Sequence, residues 1–273
     1  MKVIAAIPIR NEEHILEHFF NHLFSFIDDA VVVDDGSTDA TAQIIKKYQP
    51  KNIKLVHSNP IGTQPFCNGK ESNNRNKLLQ MARQVANGEE AWILQIDSDE
   101  FLTYQFKEEL PKLLQKGCST KIEILHLWDV ENNEARFRVD SEWGNFYRYR
   151  LYKLLPRTRF SDQAIIATPK AFDRKNKYKC ENVKIIHYGW CGASRRAHLS
   201  RYYKVYQIQH AESKITLDEF CNNLELQAEL KIVSQNLETI QLKTWQQMFN
   251  NTIDQQRYVD VYKSLKTYWD RKQ

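Results

Sequence analysis

Trp92-Ile93-Leu94-Gln95-Ile96-Asp97-Ser98-Asp99-Glu100 is a short apolar run that ends in three acids within four residues. Its apolar half has the length and continuity of a strand buried on both faces, as in a parallel α/β sheet. The acids then fall just beyond the carboxyl end of that strand, where open α/β sheets hold their ligands. Carboxylates this close repel one another unless a cation neutralises them. Their oxygens are hard ligands suited to Mg²⁺ or Mn²⁺, with substrate phosphates completing the shell. A strand followed by an acidic turn and a helix N-cap has the same local pattern, so the flanking segments must decide.

Upstream, the chain alternates strand and helix signals. Val3–Ile7 reads as a strand stopped by Pro8. Glu12–Phe26 reads as a helix, with Ile15, Phe19, Leu23 and Phe26 at helical spacing. Ala30–Val33 is a second strand, and Ser37-Thr38-Asp39 offers N-capping side chains for a helix running to about Tyr48. Ile53–His57 is a third strand. A loop with Gly62, Pro65 and Gly69 follows, then a helix over Asn73–Ala86 and the opening strand Trp92–Ile96. Four strands separated by helices predict a Rossmann-like, mostly parallel sheet with right-handed crossovers. After Gly117 the pattern changes. Lys121–Trp128, Ala135–Val139, Phe146–Leu154 and Val183–His187 read as strands by alternation of aromatic and β-branched residues with polar ones. From Arg195 the chain is nearly free of Gly and Pro, and Leu224, Leu226, Leu230, Ile232, Val233 and Leu237 recur at helical spacing. The expected organisation is an α/β catalytic domain over 1–192 with a C-terminal helical region, 193–273, packed on it.

Composition narrows the class. With 42% hydrophobic and 27% charged residues, the 273-residue chain is an ordinary globular protein. A net charge of +5 suits anionic substrates or an anionic membrane surface and is too mild for a nucleic-acid partner. The five cysteines, Cys67, Cys118, Cys180, Cys191 and Cys221, are odd in number and form no CxxC pair, which points to a reducing, cytoplasmic setting. Met1-Lys2 leads straight into an apolar run too short for a signal segment, and no run approaches the roughly 20 apolar residues of a membrane span.

The second strand ends in Asp34-Asp35-Gly36-Ser37-Thr38-Asp39, again acids at a carboxyl end, with Gly36 for the turn. A carboxylate there can accept hydrogen bonds from a base imide or from ribose hydroxyls, although a capped turn has the same letters. The order of segments is more telling. Pro8-Ile9-Arg10-Asn11-Glu12-Glu13, then Val31-Val32-Val33-Asp34-Asp35-Gly36-Ser37-Thr38-Asp39, then Ile96-Asp97-Ser98-Asp99 follow one another at domain-scale spacing. Together they resemble the P-x-x-N-E-E, V-D-D-G-S-T-D and D-x-D motifs of glycosyltransferase family 2 on a GT-A fold. Gly69-Lys70-Glu71-Ser72-Asn73-Asn74-Arg75-Asn76-Lys77 resembles that family's basic helix start. The resemblance covers roughly residues 1–190.

That resemblance implies roles. Pro8, Arg10 and Glu12 would line a nucleotide pocket, and Asp35 would bind the base with Asp34 supporting it. Lys70, Arg75, Asp97 and Ser98 would complete the nucleotide-sugar site, Asp97 holding ribose or orienting Arg75. Asp99 would ligate Mn²⁺ or Mg²⁺ on the donor diphosphate. His187, in His187-Tyr188-Gly189-Trp190 after the last predicted strand, would reach the metal or diphosphate. The family's acceptor loop often reads H-E, where this chain has Ser161-Asp162-Gln163-Ala164. Asp162, then Glu142, are therefore the two candidates for the base an inverting transfer needs. The implied activity is inverting transfer from a nucleotide-diphosphate sugar, a UDP-sugar by expectation, to a glycan or glycolipid acceptor, as in polysaccharide or lipopolysaccharide biosynthesis. A leaving nucleotide diphosphate gains negative charge, which a divalent cation stabilises.

Other readings have less support. His14, His18 and His22 stand at i, i+4, i+8, a zinc-capable spacing, yet no Cys or acid pattern completes a site; a solvated or core-edge stripe is expected. Gly62 to Gly69-Lys70-Glu71 lacks the spacing and the Ser/Thr of a P-loop. Arg195, Arg196, Arg201 and Lys204, among Tyr202, Tyr203 and Tyr206, could meet anionic lipid peripherally or form a solvated helix face. A sugar-nucleotide nucleotidylyltransferase should carry a glycine-rich phosphate loop after the first strand, where this chain has Ile7-Pro8-Ile9-Arg10-Asn11. A non-catalytic nucleotide-sugar-binding protein would keep the fold without turnover.

Overall fold

The computed structural model describes residues 2–49, 51–61, 70–117, 119–131, 134–139, 145–161, 176–189, 191 and 230–232. They fall into two compact units, one over 2–125 and 145–187, the other over 126–139, 188–191 and 230–232.

The first unit is an α/β sheet. Strands β1 (Lys2–Ile9), β2 (Asp29–Asp34), β3 (Ile53–Ser58) and β4 (Ala91–Gln95) are parallel in the order β3-β2-β1-β4. Strand β8 (Tyr147–Lys153) continues the sheet antiparallel to β4, and the start of β6 (Ser119–Glu131) lies antiparallel to β8. Strand β9 (Lys177–His187) pairs β6 and, antiparallel, the short β5 (Glu100–Leu102). The α/β expectation and its parallel half are thus observed. Every residue of β4 is buried, which explains its unbroken apolar pattern.

Side-chain alternation sets the layers. Ile4 and Ala6 of β1, Val31 and Val33 of β2, and Ile93 of β4 meet Leu78, Leu79, Met81, Ala82 and Ala86 of α3 (Lys70–Ala86). Helix α1 (Leu16–Leu23) buries Phe19 edge-on against Phe101 at 5.9 Å, and Phe20 against Tyr48 of α2 (Thr41–Tyr48) at 4.9 Å.

Four local expectations change. β1 runs through Pro8 to Ile9 because pairing with β4 ends at Ala6 while β2 continues alongside to Asp34; the missing N–H of Pro8 therefore interrupts no ladder there. Helix α1 starts at Leu16 rather than Glu12, after a turn in which Ile15 N–H bonds Glu12 O. His14 consequently lies outside the helix, and the three histidines form no continuous stripe. Segment 101–117, for which no element was expected, holds most of β5 and α4 (Gln105–Lys116), which ends at Gly117 with φ 65°.

The second unit contains an antiparallel ladder: the end of β6 from His126, β7 (Glu134–Arg138) and β10 (Leu230–Ile232). The Arg138 guanidinium stacks over Trp128 at 4.6 Å. At Leu230–Ile232 the helical expectation fails. These residues pair with Arg136–Arg138, and an apolar-polar-apolar triplet satisfies a strand as well as a helix. The rest of 193–273, and with it the basic Arg195–Tyr206 segment, lies outside the described residues. Among the described residues no helix is long and apolar enough to cross a membrane.

Candidate active site

The described candidate residues collect at the carboxyl ends of β1, β2 and β4, on α3 and at the end of β9, all in the first unit. The two loop motifs after β1 and β2 hold each other. Asn11 N–H donates to Ser37 Oγ at 2.9 Å, and Asn11 Oδ1 accepts from Thr38 N–H at 2.9 Å. Glu12 N–H donates to Thr41 Oγ1 at 2.9 Å, while Glu13 Oε2 accepts from Ala40 N–H at 2.7 Å. Asn11 takes φ 53° to do this, a left-handed conformation that asparagine tolerates better than most residues. Much of N-E-E and G-S-T-D is therefore a clasp. Asp39 Oδ1 accepts Thr41 N–H at 3.0 Å from one position before the α2 cap. The cap is Ala40, which carries no side-chain capping hydrogen bond, so none of the three expected capping side chains occupies the cap position.

The clasp leaves Asp35 and Arg10 beside one another. Arg10 Nη1 donates to the Asp35 carbonyl at 2.7 Å and lies 3.3 Å from Asp35 Oδ2. Asp35 Oδ1 accepts from Asn59 Nδ2 at 2.7 Å, and the same amide reaches Asn74 Oδ1 at 3.0 Å. Asp34 is buried and its Oδ1 accepts Ser37 N–H at 2.9 Å, so it shapes the turn that Gly36 completes at φ 73°. Pro8 lies in β1 beside Val33. Glu12 Oε2 stands 3.6 Å from His14 Nε2.

Helix α3 brings Arg75 to the acids after β4. Its Nη2 donates to Asp97 Oδ1 at 3.0 Å and its Nε to Glu71 Oε1 at 2.9 Å. Burial alone would lower the guanidinium pKa; the two carboxylates outweigh that and raise it. Arg75 Nη1 is buried with no hydrogen-bond partner among the described residues. Ser98 is buried in the turn. Asp99 Oδ2 lies 3.2 Å from His187 Nε2, because Glu100 and His187 are register partners across β5 and β9. Burial would lower His187, but Asp99 more than offsets it and holds the imidazole above its usual value.

Glu100 and Arg150 lie beneath this turn. Glu100 is 2% and Arg150 7% exposed, and Arg150 Nη2 donates to Glu100 Oε1. Glu100 Oε2 accepts Asp97 N–H at 3.0 Å, and Arg150 Nη2 is 4.0 Å from Asp97 Oδ2. Burial pushes Glu100 up to about 7, against the pull of Arg150.

Arg10, Asp35, Arg75, Asp97, Ser98, Asp99 and His187 thus lie on the turns after β1, β2 and β4, on α3 and at the end of β9. The Lys70 side chain, Glu142 and Asp162 lie outside what is described. Sequence reading missed Asn59, Asn74, Glu100 and Arg150 as site residues. For Glu100 a signal existed, a third acid directly after D-x-D; a lone asparagine after a strand, as at Asn59, carries none. His22, by contrast, is structural: it is buried, and its Nε2 donates to Leu102 O at 2.8 Å.

For Mn²⁺ or Mg²⁺, the donor set available is Asp99 Oδ2 with His187 Nε2. A carboxylate with an imidazole fits Mn²⁺, and Mg²⁺ when phosphate oxygens and water supply the rest. Among the described residues no group of three or more His, Cys, Asp or Glu side chains is placed to hold a cation by itself.

The model of the family described as "Glycosyl transferase family 2" matches residues 4–199. The Methanocaldococcus jannaschii protein MJ0544, described as uncharacterized, is 31% identical over 120 residues, 42% of this chain and 46% of its own length. The chain thus matches less than half the length of that curated relative. Among solved structures, Staphylococcus aureus TarS 1–349 in complex with UDP aligns with TM-score 0.47 at 16% identity, covering 82% of this chain and 69% of that one. Glucosyl-3-phosphoglycerate synthase from Mycobacterium tuberculosis aligns with TM-score 0.29 at 20% identity over 46% of this chain and 44% of its own.

Proposed function

The chain belongs to glycosyl transferase family 2, and from that premise we propose that it is an inverting, metal-dependent glycosyltransferase using a UDP-sugar and a glycan or glycolipid acceptor. The observation that carries the proposal is the convergence on one turn of Arg75 with Asp97 and of His187 with Asp99. Asp35, held by Arg10 and Asn59, would accept the imide N–H of the base. Arg75 would steady Asp97 against the ribose. Asp99 and His187 would hold Mn²⁺ or Mg²⁺. When bound, the cation supplies charge neutralisation to the leaving diphosphate.

In the transfer, the bond from the anomeric carbon to the diphosphate oxygen breaks as the bond to the acceptor oxygen forms on the opposite face. The acceptor's proton would pass to one carboxylate, Asp162 as the first candidate for that base and Glu142 as the alternative. The buried guanidinium groups of Arg75 and Arg150 around the turn would keep the developing negative charge in a preorganised field. Polysaccharide or lipopolysaccharide assembly is the setting in which such a donor and acceptor meet.

The test is nucleotide release from UDP-, GDP- and dTDP-sugars with Mn²⁺ or with EDTA. Metal-dependent release of UDP from one sugar is expected. Release of no nucleotide from any donor would sink the proposal.

A further inference from the structure

The D-x-D turn has a reciprocal fastening. Asp97 N–H donates to Glu100 Oε2 at 3.0 Å, and Glu100 N–H donates to Asp97 O at 3.0 Å. The other carboxylate oxygen, Glu100 Oε1, takes the Arg150 guanidinium from β8. Glu100 is also the residue whose backbone registers with His187. One buried side chain thus ties the start of the turn to a strand 50 positions away in sequence, while its backbone places the Asp99 partner. The charge serves this geometry: a carboxylate presents two acceptors, whereas an amide presents one.

We infer that Glu100 is a positioning residue for Asp97 and Asp99, bridging the Asp97 amide and the Arg150 guanidinium. Its effect on catalysis rests on the proposed function; its effect on the turn does not. Glu100→Gln leaves one acceptor for two donors. The charged guanidinium takes it, and the Asp97 amide loses its partner. Glu100→Gln/Arg150→Met removes the competing donor, so the one remaining side-chain oxygen at position 100 is again available to Asp97. Arg150→Lys keeps a cation over Glu100 and should leave the turn intact.

Residue-resolved amide hydrogen exchange on the full chain reads this without any ligand. In Glu100→Gln the Asp97 amide is expected to exchange about tenfold faster, with Ala6 and Val33 in the central strands unchanged. Protection returns in the double variant and is kept in Arg150→Lys. Calorimetry with UDP and Mn²⁺ is expected to show about tenfold weaker binding in Glu100→Gln. The inference is overturned if Asp97 exchange is unchanged in Glu100→Gln, if it rises only in step with the central strands, or if the double variant does not recover. If the unaltered chain binds no UDP, the functional proposal falls while the exchange comparison still decides this one.

Discussion

Acid should loosen this fold through His22. The imidazole is 8% exposed, packed between Phe26 and Phe101, with its Nε2 donating to Leu102 O. Burial lowers its pKa from 6.5 to about 4, against the pull of that hydrogen bond. A base whose folded pKa is depressed is neutral when folded and charged when unfolded. Its neutrality therefore costs nothing above pH 6.5, and stability falls as pH drops from 6.5 toward 4. Each pKa unit corresponds to about 1.4 kcal/mol, so the full effect is about 3 kcal/mol, of which about 2 kcal/mol is lost between pH 7 and pH 5. Leu102 belongs to β5, so the loss falls on the strand that carries Glu100. Urea unfolding of the unaltered chain and of His22→Gln at pH 7 and pH 5 isolates the term. The stability difference between the two proteins should shift by about 2 kcal/mol in favour of the variant at pH 5. Parallel pH dependences would refute the assignment of a buried neutral imidazole.

Other perturbations are as specific. Arg75→Ala removes the guanidinium that Asp97 and Glu71 share; both carboxylates are partly exposed and Arg150 stays near Asp97, so unfolding stability should fall by only about 1 kcal/mol, while UDP binding should fall in calorimetry. In α3, Asn76 exchanges two hydrogen bonds with the Phe160 backbone, at 2.8 and 3.0 Å. Asn76→Leu should cost about 2 kcal/mol in urea unfolding while leaving UDP affinity unchanged. Of Asp162→Asn and Glu142→Gln, the one that removes the base should slow sugar transfer by about 100-fold or more with UDP affinity retained.

The parallel half of the sheet was legible because a doubly covered strand has to be apolar throughout and then break into a polar turn. Ala91–Leu94 and Ala30–Val33 do both. The acids after them were legible for the same reason: their position relative to the strand, rather than their identity, marks a ligand edge. Glu100 was not, because a charged residue beside two aspartates reads as more exposed acid. It is instead the first residue of a buried three-residue strand, where Arg150, far along the chain, is its ion-pair partner. Pro8 misled about the end of β1 because its cost depends on which neighbour is present at that point, which only pairing reveals. Leu230–Ile232 misled because three residues carry no period. The histidine spacing dissolved once α1 began at Leu16, which left His14 in a turn and His22 in the core.

The most direct test of the central claim is calorimetric titration of UDP into the unaltered chain and into Asp99→Asn, each with Mn²⁺ and with EDTA. The account predicts binding by the unaltered chain that requires Mn²⁺ and is weakened at least about tenfold in Asp99→Asn. Equal affinity with and without metal, or with and without the Asp99 carboxylate, would contradict it.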